Sequence, residues 1–181
     1  HPVFDHADEL KESPLFQQPN SGQTRPPTLF IIFGAQGDLT KRKLIPALYN
    51  LALSHYLPQE FAILGVDGIS MHTDEFRAKI RLDIQELCPQ PIDTTIQEWL
   101  LDRLYYLSGD FRNPETYEQL HNLLTQLNTT HGTQGNYLYY MATAPTFFAE
   151  IVEQLGAKGL VEYRKDFSRR IVIEKPFGHD L

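Results

Sequence analysis

The chain has 181 residues, a length that suits one domain with a substantial hydrophobic core. Its 16 Lys and Arg against 23 Asp and Glu give a formal net charge of −7, which argues against nucleic acid or an anionic membrane as the main partner. Cys88 is the only cysteine, so no internal disulfide can form and we expect a reducing, cytoplasmic compartment.

Residues 1–27 are polar and proline-containing and show no sustained periodicity, which predicts a flexible leader. They lack the basic start and apolar centre of a secretory signal. No stretch approaches the roughly 20 apolar residues of a membrane-spanning helix, so we expect no membrane insertion. Because the chain does not begin with Met, we expect it to be part of a longer one.

From residue 28 onward, short apolar runs alternate with helical patterns. The predicted strands are 28–33 (TLFIIF), 61–66 (FAILGV), 104–107 (LYYL), 137–141 (YLYYM) and 170–174 (RIVIE). Continuous apolar runs are typical of strands covered on both faces. The alternation predicts an α/β domain over residues 28–181, a doubly wound and mainly parallel sheet of the Rossmann type with helices on both faces.

Apolar stripes at helical spacing predict the helices between these strands. The stripes cover 44–53, 73–87, 95–104, 113–127 and 146–155. Thr73, Asn113 (followed by Pro114) and Thr146 are the predicted caps. Pro46 lies inside the first stripe, so that helix should be kinked or begin late.

The loop after the first predicted strand, 33–39 (FGAQGDL), contains two glycines and an aspartate. In a doubly wound sheet, ligands bind beyond the carboxyl ends of the strands, where this loop lies. Gly34 permits a tight turn, and Gly37 allows backbone N–H groups to approach a phosphate at the positive end of the next helix. Thr40 occupies a third small-residue position. The alternative is a glycine-rich turn that only joins the strand to the helix. An ATP-binding phosphate loop is not expected, because its motif G-x-x-x-x-G-K-[ST] is absent.

Beyond the glycines the sequence resembles a known family. The segment 34–51 (GAQGDLTKRKLIPALYNL) is similar to the opening GA-x-GDL-[A/T]-[K/R]-[K/R]-K-[L/I]-x-P-x-L-[Y/F]-x-L of glucose-6-phosphate dehydrogenases. Residues 171–181 (IVIEKPFGHDL) resemble the family's EKPFG-x-DL block, and 139–148 (YYMATAPTFF) a weaker third segment. In this order, over residues 28–181, the blocks resemble the family's N-terminal coenzyme-binding domain, truncated before the catalytic domain.

The resemblance implies oxidation of D-glucose 6-phosphate at C1 to 6-phosphoglucono-δ-lactone, with hydride transfer to NADP, in the oxidative pentose phosphate pathway. The catalytic His belongs to an R-I-D-H-Y-L-G-K-E stretch that is absent here, so we expect coenzyme binding without turnover. His179 falls at a variable position of the EKPFG-x-DL block, and we expect it to be exposed. The family implies a homo-oligomer formed through the missing domain, and no metal.

By resemblance, the coenzyme contacts come from the glycine loop and the ends of the later strands. The assigned residues are Gly34, Ala35, Gln36, Gly37, Asp38, Leu39, Lys43, Tyr106, Asp110, Thr143 and Lys175. Lys175 would also bridge the substrate hydroxyl and the coenzyme, and Pro176 would be an interdomain hinge. The alternatives are a surface Lys175 paired with Glu174, a plain turn at Pro176, and an Asp38 that only caps its helix.

The second predicted strand departs from the family, because Asp67 and Gly68 stand where an arginine usually grips the 2′-phosphate of NADP. A carboxylate at this place is typical of folds that hold the free ribose hydroxyls of NAD. Gln36 and Ala144 also replace usual family residues, whereas Arg42 or Lys43 could still bind the phosphate. We therefore expect NADP, with NAD as the alternative, and Asp67 could instead be a simple turn residue.

Three rival interpretations remain at this point. A glucose–fructose-type oxidoreductase also pairs a dinucleotide domain with an E-K-P motif, but usually shows G-x-G-x-x-G. A non-catalytic dinucleotide-sensing module would explain the missing His. An interaction domain with an empty cleft would bind no dinucleotide at all.

Overall fold

A computed structural model of the chain describes residues 3–7, 25–162 and 164–174. Six strands form one sheet: β1 (Val3–Ala7), β2 (Thr28–Phe33), β3 (Phe61–Asp67), β4 (Leu104–Ser108), β5 (Tyr137–Met141) and β6 (Arg169–Glu174). Within the described residues, five α-helices accompany them: α1 (Ile45–Leu53), α2 (Thr73–Leu87), α3 (Thr94–Leu101), α4 (Pro114–His131) and α5 (Phe148–Ala157). The doubly wound α/β fold predicted from the sequence is confirmed.

The strand order is β1-β6-β5-β2-β3-β4, and every neighbouring pair is parallel. From β2 the chain moves outward to β3 and β4, and then returns to place β5 on the other side of β2. The order therefore reverses between β2 and β5. In open α/β sheets, ligands bind at such a switch point, outside the carboxyl ends of the strands.

The sheet has a hydrophobic core on each face. On β2, Phe30 and Ile32 pack on the side of α1, α2 and α3, whereas Leu29, Ile31 and Phe33 pack on the side of α4 and α5. All five side chains are at most 1% exposed, which explains why this strand is a continuous apolar run. None of the helices in the described ranges has the length and apolar character that crossing a bilayer requires.

The start of α1 follows the prediction for Pro46. A wider, π-type turn at Thr40–Leu44 comes first, and Pro46 is the second residue of the regular helix that follows. Because the proline has no N–H, it cannot make the regular helical bond to the turn before it, and the π-type turn lies directly ahead of it. The segment is helical from Asp38, and its regular α-helical part begins late, at Ile45.

The predicted caps have mixed outcomes. Asn113 does cap α4, accepting a hydrogen bond from the Glu115 N–H, with Pro114 as the first helical residue. Thr73 is not a cap, since it is already the first residue of α2 and its hydroxyl accepts the Tyr106 N–H instead. Thr146 is not a cap either, because it lies in a 3₁₀ turn, Pro145–Phe147, that precedes α5.

Helix α3 is shorter than predicted and begins after Asp93, whose carboxylate accepts the Ile96 N–H.

The sheet extends further towards the N-terminus than predicted. Val3–Ala7 forms the edge strand β1, parallel to β6, within the segment for which the sequence predicted a flexible leader. Strand formation depends on pairing with a distant partner, here residues 170–174, which the local pattern of VFDHA does not reveal.

The opposite edge strand, β4, is protected by side chains of α2. The N–H of Ile63 on β3 donates to the carbonyl of Arg103, so the backbone groups of Leu104 and Tyr106 face away from β3. Arg77 Nε donates to the Leu104 carbonyl at 2.8 Å, and the Tyr106 N–H donates to Thr73 Oγ1 at 3.1 Å. Two outward-facing backbone groups of β4 therefore already have partners.

Arg169 fastens the amino end of β6 to its surroundings. Its guanidinium lies between the rings of Tyr137 and Phe167, 4.0 and 3.9 Å from their centroids. Its Nε donates to the Gly135 carbonyl at 2.7 Å, and the residue is 8% exposed. Stacking and hydrogen bonding thus compensate for the burial of this charge.

Candidate functional site

The glycine loop packs against the end of β5, at the switch point of the sheet. Gly34 has a positive φ of 99°, and a Cβ on it would stand 2.7 Å from the Ala142 carbonyl oxygen and 2.9 Å from the Thr143 nitrogen. No side chain fits at such distances, and the backbone angle also favours glycine. Gly34 is therefore required for the loop to lie here, and it brings the predicted residue Thr143 to the loop.

Hydrogen bonds within the loop fix its shape. The Gly34 N–H donates to the Val66 carbonyl at 2.9 Å, and the Gly37 N–H donates to the Gly34 carbonyl at 3.0 Å. The hydroxyl of Thr40, which is fully buried, donates to the same Gly34 carbonyl at 2.9 Å. Thr40, the third small residue of the pattern, thus links the start of the helical segment to Gly34 and stabilises the loop.

The chain becomes helical at Asp38, directly after the second glycine. The N–H groups of a first helical turn have no partner within the helix, and they carry its partial positive charge. An anion placed over residues 34–39 would meet these groups, which is the arrangement that binds phosphates at helix N-termini.

A carboxylate at the end of β3 holds the loop. Asp67 Oδ2 accepts the Gln36 N–H at 2.8 Å, and Asp67 Oδ1 accepts the Gly68 N–H at 2.7 Å. The Gln36 side-chain amide donates to the sulfur of Met71 at 3.3 Å. The last residue of β3 therefore binds the backbone of Gln36, and the segment after β3 binds its side chain. The sequence singled out Gln36, Asp67 and Gly68 separately, but the bond between Gln36 and Asp67 and the contact with Met71 were not predicted.

Tyr106 supports that segment from β4. Its hydroxyl donates to the Ile69 carbonyl at 2.5 Å, and Ser108 Oγ donates to the same carbonyl at 3.3 Å. Burial raises the pKa of the Tyr106 hydroxyl, and the nearby Asp67 carboxylate adds to this rise against an opposing effect of Gln36, so the donor stays protonated. Tyr106 is buried, whereas Ile69 beside it is 55% exposed.

Several other predicted residues lie around the loop. Ala35 is buried, its Cβ close to Gly65, and Leu39 packs against the core on the α1 side. Asp38 is exposed and accepts a hydrogen bond from Arg42 Nε at 2.8 Å, which is a helix-surface pair. Lys43 is half-buried in the turn that follows.

The remaining predicted residues follow later strands or fall beyond the described ranges. Asp110 is exposed in the loop after β4, where its carboxylate accepts the Arg112 N–H. Gly68 has open space around it, since a Cβ there would meet nothing within 4 Å. Lys175, Pro176 and His179 lie outside the described residues, and the roles predicted for them stay predictions.

The fold and this loop define a class of protein. A parallel sheet whose order reverses beside a glycine loop, with a carboxylate at the end of the neighbouring strand, is the arrangement of Rossmann-type dinucleotide-binding domains. The family model described as glucose-6-phosphate dehydrogenase, NAD binding domain, matches residues 31–181. The chain belongs to this family, which takes a nicotinamide dinucleotide as coenzyme.

Individual relatives agree with the family match. Glucose-6-phosphate 1-dehydrogenase of Chlamydia pneumoniae is 38% identical over 165 residues, covering 90% of this chain and 32% of the relative. The Bacillus subtilis (strain 168) enzyme is 37% identical over 157 residues, covering 87% of this chain and 31% of the relative. The chain thus spans about a third of the length of the curated relatives it matches.

Solved structures of the same family share the fold. The crystal structure of glucose-6-phosphate 1-dehydrogenase from Mycobacterium avium superposes with a TM-score of 0.70 at 33% identity, over 86% of this chain and 31% of that one. A glucose-6-phosphate dehydrogenase in complex with its substrate glucose 6-phosphate gives a TM-score of 0.72 at 27% identity, over 88% of this chain and 32% of that one. These matches favour the dehydrogenase family over the glucose–fructose-type alternative.

Proposed function

We propose that the chain is the coenzyme-binding domain of a cytoplasmic enzyme that oxidises D-glucose 6-phosphate at C1 to 6-phosphoglucono-δ-lactone, with hydride transfer to NADP or NAD. The family resemblance favours NADP. The observation that carries the proposal is the glycine loop at the switch point, where Gly34 touches the end of β5. One structural neighbour is described as a complex with glucose 6-phosphate, which supports the same substrate.

The diphosphate of the coenzyme would lie over residues 34–39, where the N–H groups of the first helical turn would stabilise its charge. The adenosine ribose would lie beside Asp67, and the nicotinamide towards Thr143 and the end of β6. The coenzyme supplies the hydride acceptor. This chain's residues bind and orient it, and Lys175 would connect it to the substrate hydroxyl.

Loss of hydride from C1 also requires removal of the C1 hydroxyl proton, for which a His held by a carboxylate is a suitable base. That base would come from the part of the full-length enzyme beyond residue 181, as would the surface for homo-oligomer formation. By itself the chain would bind coenzyme and turn over nothing.

Calorimetric titration of the chain with NADP and with NAD tests the proposal. We expect saturable binding of at least one of them, and amide shifts in NMR spectra that are largest at residues 34–39. Mixing the chain with glucose 6-phosphate and either coenzyme should produce no reduced coenzyme. Absence of binding to both coenzymes would refute the proposal and would favour an interaction domain with an empty cleft.

A further inference from the structure

We infer that Asp67 makes this domain prefer NAD over NADP, because one carboxylate both fixes the glycine loop and occupies the place where a 2′-phosphate would lie. This inference rests on the proposed coenzyme-binding function. It departs from the coenzyme that the family resemblance favours.

The Asp67 carboxylate is held in place by two backbone donors. Its Oδ2 accepts the Gln36 N–H at 2.8 Å, and its Oδ1 accepts the Gly68 N–H at 2.7 Å. A carboxylate has about four acceptor positions, so each oxygen can accept one more hydrogen bond. Vicinal ribose hydroxyls are donors that suit these positions, and an acidic residue at this strand end commonly holds them. The carboxylate is therefore fixed in an orientation that can bind a ribose with a free 2′-hydroxyl.

A 2′-phosphate in the same place would bring about −1.5 to −2 charges next to this carboxylate. Such a group would need a cation nearby to be tolerated. Lys41 lies 3.9 and 4.0 Å from carboxylate oxygens of Asp83 and Glu86, and Arg42 pairs with Asp38 at 2.8 Å. The basic side chains at positions 41 and 42 are thus paired with carboxylates of this chain.

Guanidinium groups of the neighbouring elements are also engaged. Arg77 donates to the carbonyls of Leu104 and Asp102, and the Arg112 guanidinium lies over the Phe147 ring, 5.1 Å from its centroid. Lys43 likewise interacts with another group. A 2′-phosphate would have to compete with these contacts to gain a counter-charge.

Gly68 is the place where a basic side chain would change the preference. It follows Asp67 directly, is exposed, and a Cβ there would meet nothing within 4 Å. An arginine can therefore be introduced without steric conflict, and its fork of donors suits a phosphate. Unlike a change of Asp67, this substitution leaves the bond between Asp67 and the Gln36 N–H in place.

The experiment measures the dissociation constants of the 181-residue chain for NAD and NADP by calorimetry at one fixed salt concentration. We expect NAD to bind at least tenfold more tightly than NADP. Gly68→Arg should shift the ratio of the two constants towards NADP by at least tenfold. Asn122→Arg, which adds the same side chain at an exposed position of α4, is the matched control and should leave the ratio unchanged.

Asp67→Asn adds a second arm. It removes the charge and weakens the hold on the Gln36 N–H, so binding of NAD should fall at least fivefold and the preference for NAD should shrink. Tighter binding of NADP than of NAD by the unaltered chain would overturn the inference and leave the proposed function intact. An unchanged ratio in both Gly68→Arg and Asp67→Asn would also overturn it. Failure of the unaltered chain to bind either coenzyme would overturn the proposed function together with the inference.

Discussion

Gly34 on the glycine loop lies so close to Ala142 at the end of β5 that an added Cβ would stand 2.7 Å from the Ala142 carbonyl oxygen. The contact joins the two strands between which the order of the sheet reverses. It links the turn that shapes the loop to the packing of the whole sheet, so stability and coenzyme binding should depend on it together.

Gly34→Ala is therefore expected to lower the free energy of unfolding by about 2–4 kcal/mol, from overpacking and the positive φ. Coenzyme binding should be lost, because the loop cannot keep its path. Urea unfolding, followed by the fluorescence of Trp99, the single tryptophan, measures the first effect. Gly68→Ala, in open space, is the control and should change stability by no more than about 0.5 kcal/mol. Equal effects of the two substitutions would contradict the assigned contact.

Tyr106→Phe removes the hydroxyl that donates to the Ile69 carbonyl. We expect a loss of about 1 kcal/mol in unfolding free energy, limited because Ser108 Oγ still reaches that carbonyl. The segment that holds Gln36 should loosen, and coenzyme affinity should fall severalfold. Tyr105→Phe removes a hydroxyl that instead pairs with His131, so it should cost similar stability without affecting coenzyme affinity. If Tyr105→Phe lowered coenzyme affinity and Tyr106→Phe did not, the role assigned to the Tyr106 hydroxyl would be contradicted.

Arg169→Ala should lower the free energy of unfolding by about 2–4 kcal/mol. It removes the guanidinium stacked between the rings of Tyr137 and Phe167, and it leaves the Gly135 carbonyl without its donor. Arg164→Ala is the matched control, since Arg164 is exposed and pairs with Glu162 at the surface. That substitution should stay within about 0.5 kcal/mol. Thermal and urea unfolding of both variants compare the two sites. A small loss for Arg169→Ala would mean that the stacked guanidinium contributes little.

His131 predicts a pH dependence of stability. Burial, and then Arg103 and Arg77, lower the pKa of His131 below its ordinary value of 6.5, while its Nε2 is hydrogen-bonded to the Tyr105 hydroxyl at 2.7 Å. The unfolded chain therefore takes up the proton at a higher pH than the folded chain does. The stabilising contribution is complete above pH 6.5 and is lost as the pH falls through that value towards the lower folded pKa.

Measuring the unfolding free energy at about pH 7.5 and about pH 5.5 checks this sign. The decrease between the two pH values should be smaller for His131→Gln than for the unaltered chain. His121→Gln, at an exposed position of α4, should retain the full decrease. A larger decrease in His131→Gln would show that the protonated imidazole stabilises the fold.

Strands β2 to β6 and the glycine loop could be predicted because their signals are local. The runs at 28–33 and 137–141 match β2 and β5 residue for residue, since strands buried on both faces must be apolar throughout. Asn113 and Pro114 mark the start of α4 because capping involves neighbours in sequence. Thr146 misled because a threonine before an apolar stripe does not distinguish a cap from a 3₁₀ turn.

Contacts between distant segments could not be predicted in the same way. Gln36 and Asp67 are 31 residues apart, and only the pairing of β2 with β3 brings them together. The Asp-Gly pair at 67–68 was a signal for a special position, but a turn and a ribose site share that signal. Strand β1 could not be predicted from its own five residues, because it forms by pairing with β6 at the other end of the chain.

The side chains of Arg77 and Thr73 along β4 also affect whether a strand of another protein can be added to this edge of the sheet. A foreign strand that aligned with β4 would find the Leu104 carbonyl and the Tyr106 N–H already satisfied, and would have to displace an arginine to replace them. Exposed sheet edges are where chains aggregate by adding strands to one another. Helix α2 therefore makes the β4 edge of the sheet resistant to β-pairing with another chain, whether or not a coenzyme is bound.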